Sequence, residues 1–258
     1  MMKTNFDLVE DVKKGPILSA YVQAHFDQGL ELLQEKDYNL ISLKENAQLR
    51  IQEGYNTFIS RNGNWVLPDV AYIPQRKPIL TNISHITKNP KHAANAHRSG
   101  VEFYLTDEQV EECLTDFVEL DEKLIPTNRF GDNKITQYAF CEHSQEYGRV
   151  LREYGIKEMP IWLVNTQDRP FARKLWFGGL GYGDRSVGNN RGLVDSGVRG
   201  VRQNVGEAGT QKISRDEQDK SSLASYTLED IQKVLRSKGL SDLEKTVVQG
   251  LKELKHDK

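Results

Sequence analysis

The chain has 258 residues, of which 37% are hydrophobic and 28% charged, and its net charge at pH 7 is −2. These values are typical of a soluble globular protein with a sizeable core, and they carry no overall nucleic-acid or membrane signature. The first residues do not form a signal peptide, and no apolar run reaches the roughly 18 residues needed to cross a bilayer. The expected location is therefore the cytoplasm, with a virion or a cell surface left open.

The N-terminal segment, residues 1–60, is predicted to be mainly helical. Apolar residues recur at spacings of three and four over residues 17–36, which predicts an amphipathic helix. Residues 40–60 continue in helix-forming residues and predict either a second helix or the entry to the next unit.

Prolines punctuate the following segment at Pro68, Pro74 and Pro78. They exclude a regular helix there and confine any strand to the edge of a sheet. Residues 75–100 are polar and mildly basic, which predicts a long surface loop.

Shorter elements follow. Residues 101–105 alternate like a strand, and Thr106 with Gln109 forms a capping box that opens a predicted helix over residues 107–120. The two cysteines, Cys113 and Cys141, lack metal-finger or C-x-x-C spacing, which predicts reduced, part-buried thiols and leaves a single disulfide open.

The next three elements are predicted in the order strand, helix, strand. Residues 134–140 alternate like a strand, residues 144–155 form a helix ended by Gly155, and residues 159–165 form a short apolar strand. Strands and helices thus mix without a regular βαβ period, which predicts an α+β fold.

Residues 206–258 form a polar linker followed by two short helices, one capped by Thr227 and one opened by Ser241 with Glu244. This helical appendage suits an oligomer or partner contact. The oligomeric state stays open.

The segment 175–202 holds 8 of the 20 glycines in the chain. Gly179, Gly181 and Gly183 do not have the G-x-G-x-x-G spacing of a dinucleotide loop, and no P-loop lysine follows them. The segment contains no histidine, cysteine or glutamate and no G-x-S-x-G or H-E-x-x-H motif, so it predicts a binding surface ahead of a catalytic site. We expect neither a cofactor nor a metal.

Charge adds a second feature to this region. Between Arg169 and Arg202 there are six arginines and Lys174 against two aspartates, interleaved with aromatic residues. Such a mixture suits single-stranded nucleic acid or another anion, and equally a protein-binding loop. Some of the arginines, Arg199 especially, are also candidates for pairing inside the fold.

The spacing of residues in this segment resembles the variable region of archaeal diversity-generating retroelement variable proteins. The matching pattern is L-W-F-x-x-L-x-x-x-x-x-S from Leu175, then Leu193 and a terminal V-R-G-V-R, with a similar scaffold sequence upstream over residues 125–164. The resemblance covers roughly residues 101–202. It implies a C-type lectin-like fold over residues 61–205, of the version shared with formylglycine-generating enzymes, with the variable region at about 175–202.

In those retroelements, reverse transcription introduces errors at adenines, and the mutable codons cannot yield Lys, Glu, Gln, Met or Trp. These five types make up about a quarter of this chain, so about five are expected in the 20 residues from Gly178 to Gly197, and none is present. Adenine-to-guanine changes also supply glycine readily.

The resemblance divides the segment into two sets of residues. The expected framework, whose apolar members are buried, comprises Leu175, Trp176, Leu180, Ser186, Leu193, Val198, Arg199, Gly200 and Val201. The expected binding face points outward and comprises Gly179, Gly181, Tyr182, Gly183, Asp184, Arg185, Gly188, Asn189, Asn190, Arg191, Gly192, Asp195, Ser196 and Gly197.

The sequence therefore predicts a non-enzymatic protein that displays a diversified surface to a macromolecular ligand, with a protein expected ahead of nucleic acid. The E-P-N and W-N-D motifs of calcium-dependent lectins are absent, so sugar and calcium binding are not inferred. Two alternatives remain: an oxidase of the formylglycine-generating type using Cys113 or Cys141, although no cysteine follows Cys141, and an arginine- and aromatic-based nucleic-acid binder.

Overall fold

A computed structural model describes residues 7–161, 163–180, 193 and 196–204 of the chain. Contacts between Cα atoms group residues 1–204 into one compact unit and residues 205–258 into another. The linker and the two helices predicted for residues 206–258 lie outside the described residues, as does Trp162.

The described residues form mixed helices and strands. The strands are β1 (Leu8–Val12), β2 (Ile17–Ala24), β3 (Asn39–Leu40), β4 (Asn64–Tyr72), β5 (Ile79–Thr81), β6 (Phe103–Tyr104), β7 (Phe117–Glu119), β8 (Leu124–Pro126), β9 (Glu158–Pro160), β10 (Phe171–Phe177) and β11 (Ser196–Gln203). The α-helices are α1 (Phe26–Glu35), α2 (Leu43–Glu53), α3 (Phe58–Arg61), α4 (His85–Lys88), α5 (Pro90–Arg98), α6 (Asp107–Cys113), α7 (Lys134–Phe140) and α8 (Ser144–Glu153), with short 3₁₀ turns at Thr127–Arg129 and Cys141–His143.

Within the described residues, nine strands form one sheet in the order β1-β2-β11-β4-β10-β6, with β3 paired to β11 and with β5 joining β4 to β7. Strand β11 pairs antiparallel with β2 along its whole length and parallel with β4 at Val198 and Trp65. The strands that flank the predicted variable segment, β10 and β11, are therefore both interior strands, one on each side of β4.

Side chains from alternate positions of the strands enter two hydrophobic clusters, one on each face of the sheet. On β11, Val198 enters the cluster with α1 and Val201 enters the cluster with α2, α7 and α8. On β4, Trp65 and Val66 divide in the same way. The sheet is therefore covered on both faces. No helix in the described ranges has both the length and the apolar content needed to span a bilayer.

The prediction of a helix over residues 17–36 is wrong for its first half, which forms strand β2. The helix α1 begins only at Phe26. Strand β2 pairs on both sides and most of its residues are buried, so its apolar residues need not alternate. A buried strand of this kind resembles a helix in its hydrophobic spacing. Residues 1–60 thus contribute strands to the central sheet as well as helices.

The prediction that prolines confine any strand to an edge is also wrong, because β4 is an interior strand. The pairing of β10 with β4 shifts between Lys174, opposite Asp69, and Leu175, opposite Val66. Pro68 lies in the bulge between those two partners, where no N–H is required by β10.

Two further segments differ from prediction. Residues 75–100 are not a continuous surface loop, since they contain the buried strand β5 and the helices α4 and α5. Residues 134–140 form helix α7 instead of a strand, because the side chain of Asn133 accepts hydrogen bonds from the amides of Ile135 (2.9 Å) and Thr136 (3.3 Å). Such a cap starts a helix whatever the local alternation.

Other predictions are confirmed. The capping box of Thr106 and Gln109 opens α6, which ends at Cys113, earlier than predicted. Helix α8 follows the pattern of residues 144–155, and Gly155 lies just past it with a φ of +79°.

Candidate ligand-binding surface

Most of the predicted binding face lies outside the described residues. This group comprises Gly181, Tyr182, Gly183, Asp184, Arg185, Gly188, Asn189, Asn190, Arg191, Gly192 and Asp195, together with the framework residue Ser186. Ser196 begins β11. What the structure describes is the frame on either side of residues 181–192, and Leu193.

The described framework residues other than Trp176 are buried. Exposed fractions are 0% for Leu175, 3% for Leu180, 8% for Leu193, 0% for Val198 and 4% for Val201. Trp176 is half-buried and lies edge-on to Trp65, with ring centroids 5.0 Å apart. Both ends of the segment 181–192 are therefore flanked by leucines in the hydrophobic core.

Three hydrogen bonds hold the main chain beside this segment. The Arg50 Nη2 donates to the carbonyl oxygen of Gly178 at 2.7 Å, and the Tyr55 hydroxyl lies 3.5 Å from the carbonyl oxygen of Leu180. On the other side, the amide of Phe26 donates to the carbonyl oxygen of Leu193 at 2.9 Å. Each bond uses a backbone carbonyl, an atom that every amino acid provides.

Arg50 is a buried support for the first of these contacts. Its side chain comes from α2, is 1% exposed, and lies over the ring of Phe177 with its Cζ 4.1 Å from the centroid. Its Nη1 also donates to the Tyr147 hydroxyl at 3.2 Å. The guanidinium thus links α2 and α8 to the residues that follow β10.

Arg199 supports the second side from within β11. It is fully buried and forms an ion pair with Asp11 of β1, donates to Ser19 Oγ at 2.8 Å, and donates through Nε to Asn64 Oδ1 at 3.2 Å. Burial lowers the pKa of this guanidinium from its ordinary value, and the Asp11 carboxylate opposes that shift. The expectation that Arg199 pairs inside the fold is confirmed.

A second buried ion pair stands on the other flanking strand. Lys174 Nζ of β10 lies 2.7 Å from Asp69 Oδ1 of β4, and it also donates to Ser84 Oγ (3.1 Å) and Thr87 Oγ1 (2.9 Å). Burial lowers the pKa of Lys174 and the Asp69 carboxylate opposes it. Lys174 was predicted from the charge of this region to be a cation available to a ligand, but it is buried. The apolar residues of "FARKLWF" on both sides of Arg173 and Lys174 were a signal of that burial.

Two glycines assigned to the outward face are in fact interior. A Cβ on Gly179 would lie 2.0 Å from the carbonyl oxygen of Arg61, and a Cβ on Gly197 would lie 2.0 Å from the hydroxyl oxygen of Tyr21. Both residues are buried. Gly179 and Gly197 therefore belong with the framework, because no side chain fits at either position.

The same contacts identify neighbours of the predicted surface that the sequence did not reveal. Phe58, the first residue of α3, is 42% exposed, and its ring lies edge-on to Tyr21 at a centroid distance of 5.1 Å. Gly197 contacts Tyr21, and Gly179 contacts the end of the same helix at Arg61. An exposed aromatic side chain thus lies close to both flanks of the predicted surface; nothing in "NTFIS" distinguishes it from a core residue.

The arginines of this region that the structure describes are largely committed to intramolecular contacts. Arg173 forms an ion pair with Glu102, Arg202 lies 3.2 Å from Glu10, and Arg169 lies over the Tyr104 ring at 4.3 Å. With Lys174 and Arg199 buried, these residues do not form a free basic strip of the kind that tracks a phosphate backbone.

The two cysteines are free and differ in environment. Cys113 is 1% exposed, and burial, followed by the nearby Asp69 and Glu112 carboxylates, raises the pKa of its thiol to about 11. Cys141 is exposed. In the described part of the chain, no group of three or more His, Cys, Asp or Glu residues is placed to hold a metal ion.

The arrangement of the sheet and its irregular connections is that of a C-type lectin fold. A similar solved structure is described as showing the accommodation of massive sequence variation in Nanoarchaeota by the C-type lectin fold. The two structures match with a TM-score of 0.57 and 17% sequence identity, and the match covers 75% of this chain and all of the other chain. At this identity the likeness establishes the fold alone. No protein-family model and no curated protein sequence matches the chain.

Proposed function

We propose that this chain is a non-enzymatic ligand-binding protein whose C-type lectin-fold domain displays a surface diversified by adenine-directed retroelement mutagenesis. The ligand is a macromolecule, a protein ahead of nucleic acid. The binding residues are Gly181, Tyr182, Gly183, Asp184, Arg185, Gly188, Asn189, Asn190, Arg191, Gly192, Asp195 and Ser196. The chemistry needs no cofactor, since recognition depends on shape and on a few side chains such as Tyr182 and the arginines.

The observation that carries this proposal is the way the flanks of the segment are held. Leu180 and Leu193 are buried, and the described hydrogen bonds to the adjoining chain go to backbone carbonyls of Gly178, Leu180 and Leu193. Such anchoring does not depend on which side chains lie between the two leucines. The absence of Lys, Glu, Gln, Met and Trp from residues 178–197 also supports the proposal, because the mutable codons of such retroelements cannot yield these residues.

The fold likeness adds support of a limited kind. The nanoarchaeal protein is described as accommodating massive sequence variation within the C-type lectin fold. By analogy, this chain would use the same fold for the same purpose.

The first experiment is to sequence the DNA on both sides of the gene. We expect a near-repeat of the codons for residues 175–202 that differs only where the repeat has adenine, together with a reverse transcriptase gene. A flanking region with neither would refute retroelement diversification.

Binding is tested separately with a displayed library in which only the residues of 181–192 other than Ser186 and Val187 are randomised. Selection against hen lysozyme, used as an arbitrary folded probe, is expected to yield binders that lose affinity when their selected residues at 182, 185 and 191 become alanine, with melting temperatures within a few degrees of the parent. A large loss of stability on those changes would place the three residues in the core and contradict the assignment.

A further inference from the structure

A cavity of about 450 Å³ opens beside β1, at the opposite end of β11 from the predicted variable segment. It is lined by Leu8, Glu10, Lys13, Lys36, Tyr38 and Arg202. Arg202 is six residues beyond Ser196 on β11, so about 20 Å of strand separates the cavity from the start of that strand. The cavity is large enough for a small molecule.

Positive charge dominates the lining. Three of the six lining residues carry basic side chains, Lys13, Lys36 and Arg202, and Glu10 is the one carboxylate among the six. Arg202 Nη2 lies 3.2 Å from Glu10 Oε1, so the negative charge is already matched. Within the described residues, neither Lys13 nor Lys36 has a carboxylate within 4 Å. Two ammonium groups therefore border the cavity without a described counter-ion.

Contacts among Tyr38, Glu10 and Arg202 order one side of the cavity lining. Tyr38 is 1% exposed, and its hydroxyl donates to Glu10 Oε1 at 2.8 Å. The guanidinium of Arg202 lies over the Tyr38 ring, with its Cζ 4.5 Å from the centroid. This stacking and the Glu10 contact fix the guanidinium plane, while Leu8 adds an aliphatic surface. An anion entering the cavity would meet a pre-oriented donor group.

We propose that this cavity is a binding site for a phosphate monoester. Phosphate carries about −1.5 to −2 charge at pH 7, which complements the two unmatched lysines, and its oxygens accept several charge-assisted hydrogen bonds at once. The remainder of such a ligand would lie against the aliphatic side chain of Leu8. The site is separate from the diversified surface and would be the same in every variant of it.

The test is a titration followed by amide NMR, with inorganic phosphate as the first probe and sodium chloride holding the ionic strength constant. Saturable shifts are expected at the amides of Lys13, Lys36 and Arg202, with an affinity in the millimolar range, and phenyl phosphate is expected to bind more tightly than inorganic phosphate. Equal affinity of the two probes would restrict the site to the phosphate group itself and overturn the monoester assignment.

The decisive variant is K13Q/K36Q, which removes both unmatched ammonium groups and should weaken phosphate binding by about tenfold or more. Its control is K77Q/K91Q, which removes the same charge from exposed lysines paired at 4.0 Å with Glu119 and at 3.4 Å with Glu31. The control should change the affinity less than about twofold. Equal weakening by both pairs, or shifts that never saturate, would reduce the effect to net charge and refute the site.

Discussion

Substitution of Gly197 by alanine tests whether this residue belongs to the interior frame or to the exposed binding face. The new Cβ would lie 2.0 Å from the Tyr21 hydroxyl oxygen and 2.1 Å from two atoms of its ring. Tyr21 is 8% exposed, and its ring packs edge-on to Phe58 at 5.1 Å and 5.2 Å from the Cζ of Arg199. Tyr21 can make room only by giving up part of that packing.

Overpacking of this kind costs about 1–3 kcal/mol, so we expect the free energy of unfolding to fall by that amount. In a chain of this size the melting temperature would fall by roughly 2–4 °C per kcal/mol. Gly179→Ala should cost more than Gly197→Ala, because its Cβ would meet the carbonyl oxygen of Arg61 at 2.0 Å, and a backbone atom cannot swing aside.

The assay is urea unfolding followed by tryptophan fluorescence, performed as a double-mutant cycle with Tyr21→Leu. Leucine lacks the three atoms that collide with the added methyl group, so Gly197→Ala should cost less than about 0.5 kcal/mol in that background. If Gly197→Ala also costs less than about 0.5 kcal/mol in the native background, the residue has room for a side chain and the exposed-face assignment is restored.

Three other predictions follow from buried groups. Arg50→Met should lower the free energy of unfolding by about 1–3 kcal/mol in calorimetry or urea unfolding, because it leaves the Gly178 carbonyl without its described donor; a loss below about 0.5 kcal/mol would contradict the supporting role. A thiol reagent at pH 8 should modify Cys141 rapidly and Cys113 only after unfolding, because the Cys113 thiol is buried and has a pKa of about 11. Mass spectrometry counts the modified thiols, with the Cys141→Ser variant as the control. Burial and the hydrogen bond to the Glu10 carboxylate raise the pKa of the Tyr38 hydroxyl to about 12. The unfolded chain therefore loses the hydroxyl proton at a lower pH than the folded chain, so the free energy of unfolding falls between pH 10 and 12. Tyr38→Phe should make that fall smaller in unfolding measured as a function of pH, and an unchanged slope would refute the role of Tyr38.

The sequence predicted elements well wherever a local signal has a single structural meaning. The capping box of Thr106 and Gln109 and the glycine at 155 mark helix ends because their hydrogen bonds and φ angle are local properties. Residues 17–24 failed for the opposite reason, since their conformation depends on pairing with β1 and with β11, which is nearly 180 residues away. No local pattern encodes such a partner.

The candidate site likewise contains residues whose burial was predictable from the sequence and residues whose burial was not. The buried leucines and valines of the frame were predictable, because their spacing within the segment matched the resemblance and their side chains leave few alternatives to burial. The positions of Gly179 and Gly197 were not, since a glycine retained for lack of space and a glycine produced by mutation are the same residue in a sequence. Only the distances to Arg61 and Tyr21 separate the two cases.

The two buried ion pairs help to fix the register of the strands that flank residues 181–192. Lys174 with Asp69 binds β10 to β4 at the bulge, and Arg199 with Asp11 binds β11 to β1 across β2. Removing one partner of such a pair leaves an unmatched charge in the core and costs about 3–5 kcal/mol, so any shifted pairing of either strand carries that penalty. The register of both flanking strands thus depends on ion pairs formed by residues outside 181–192.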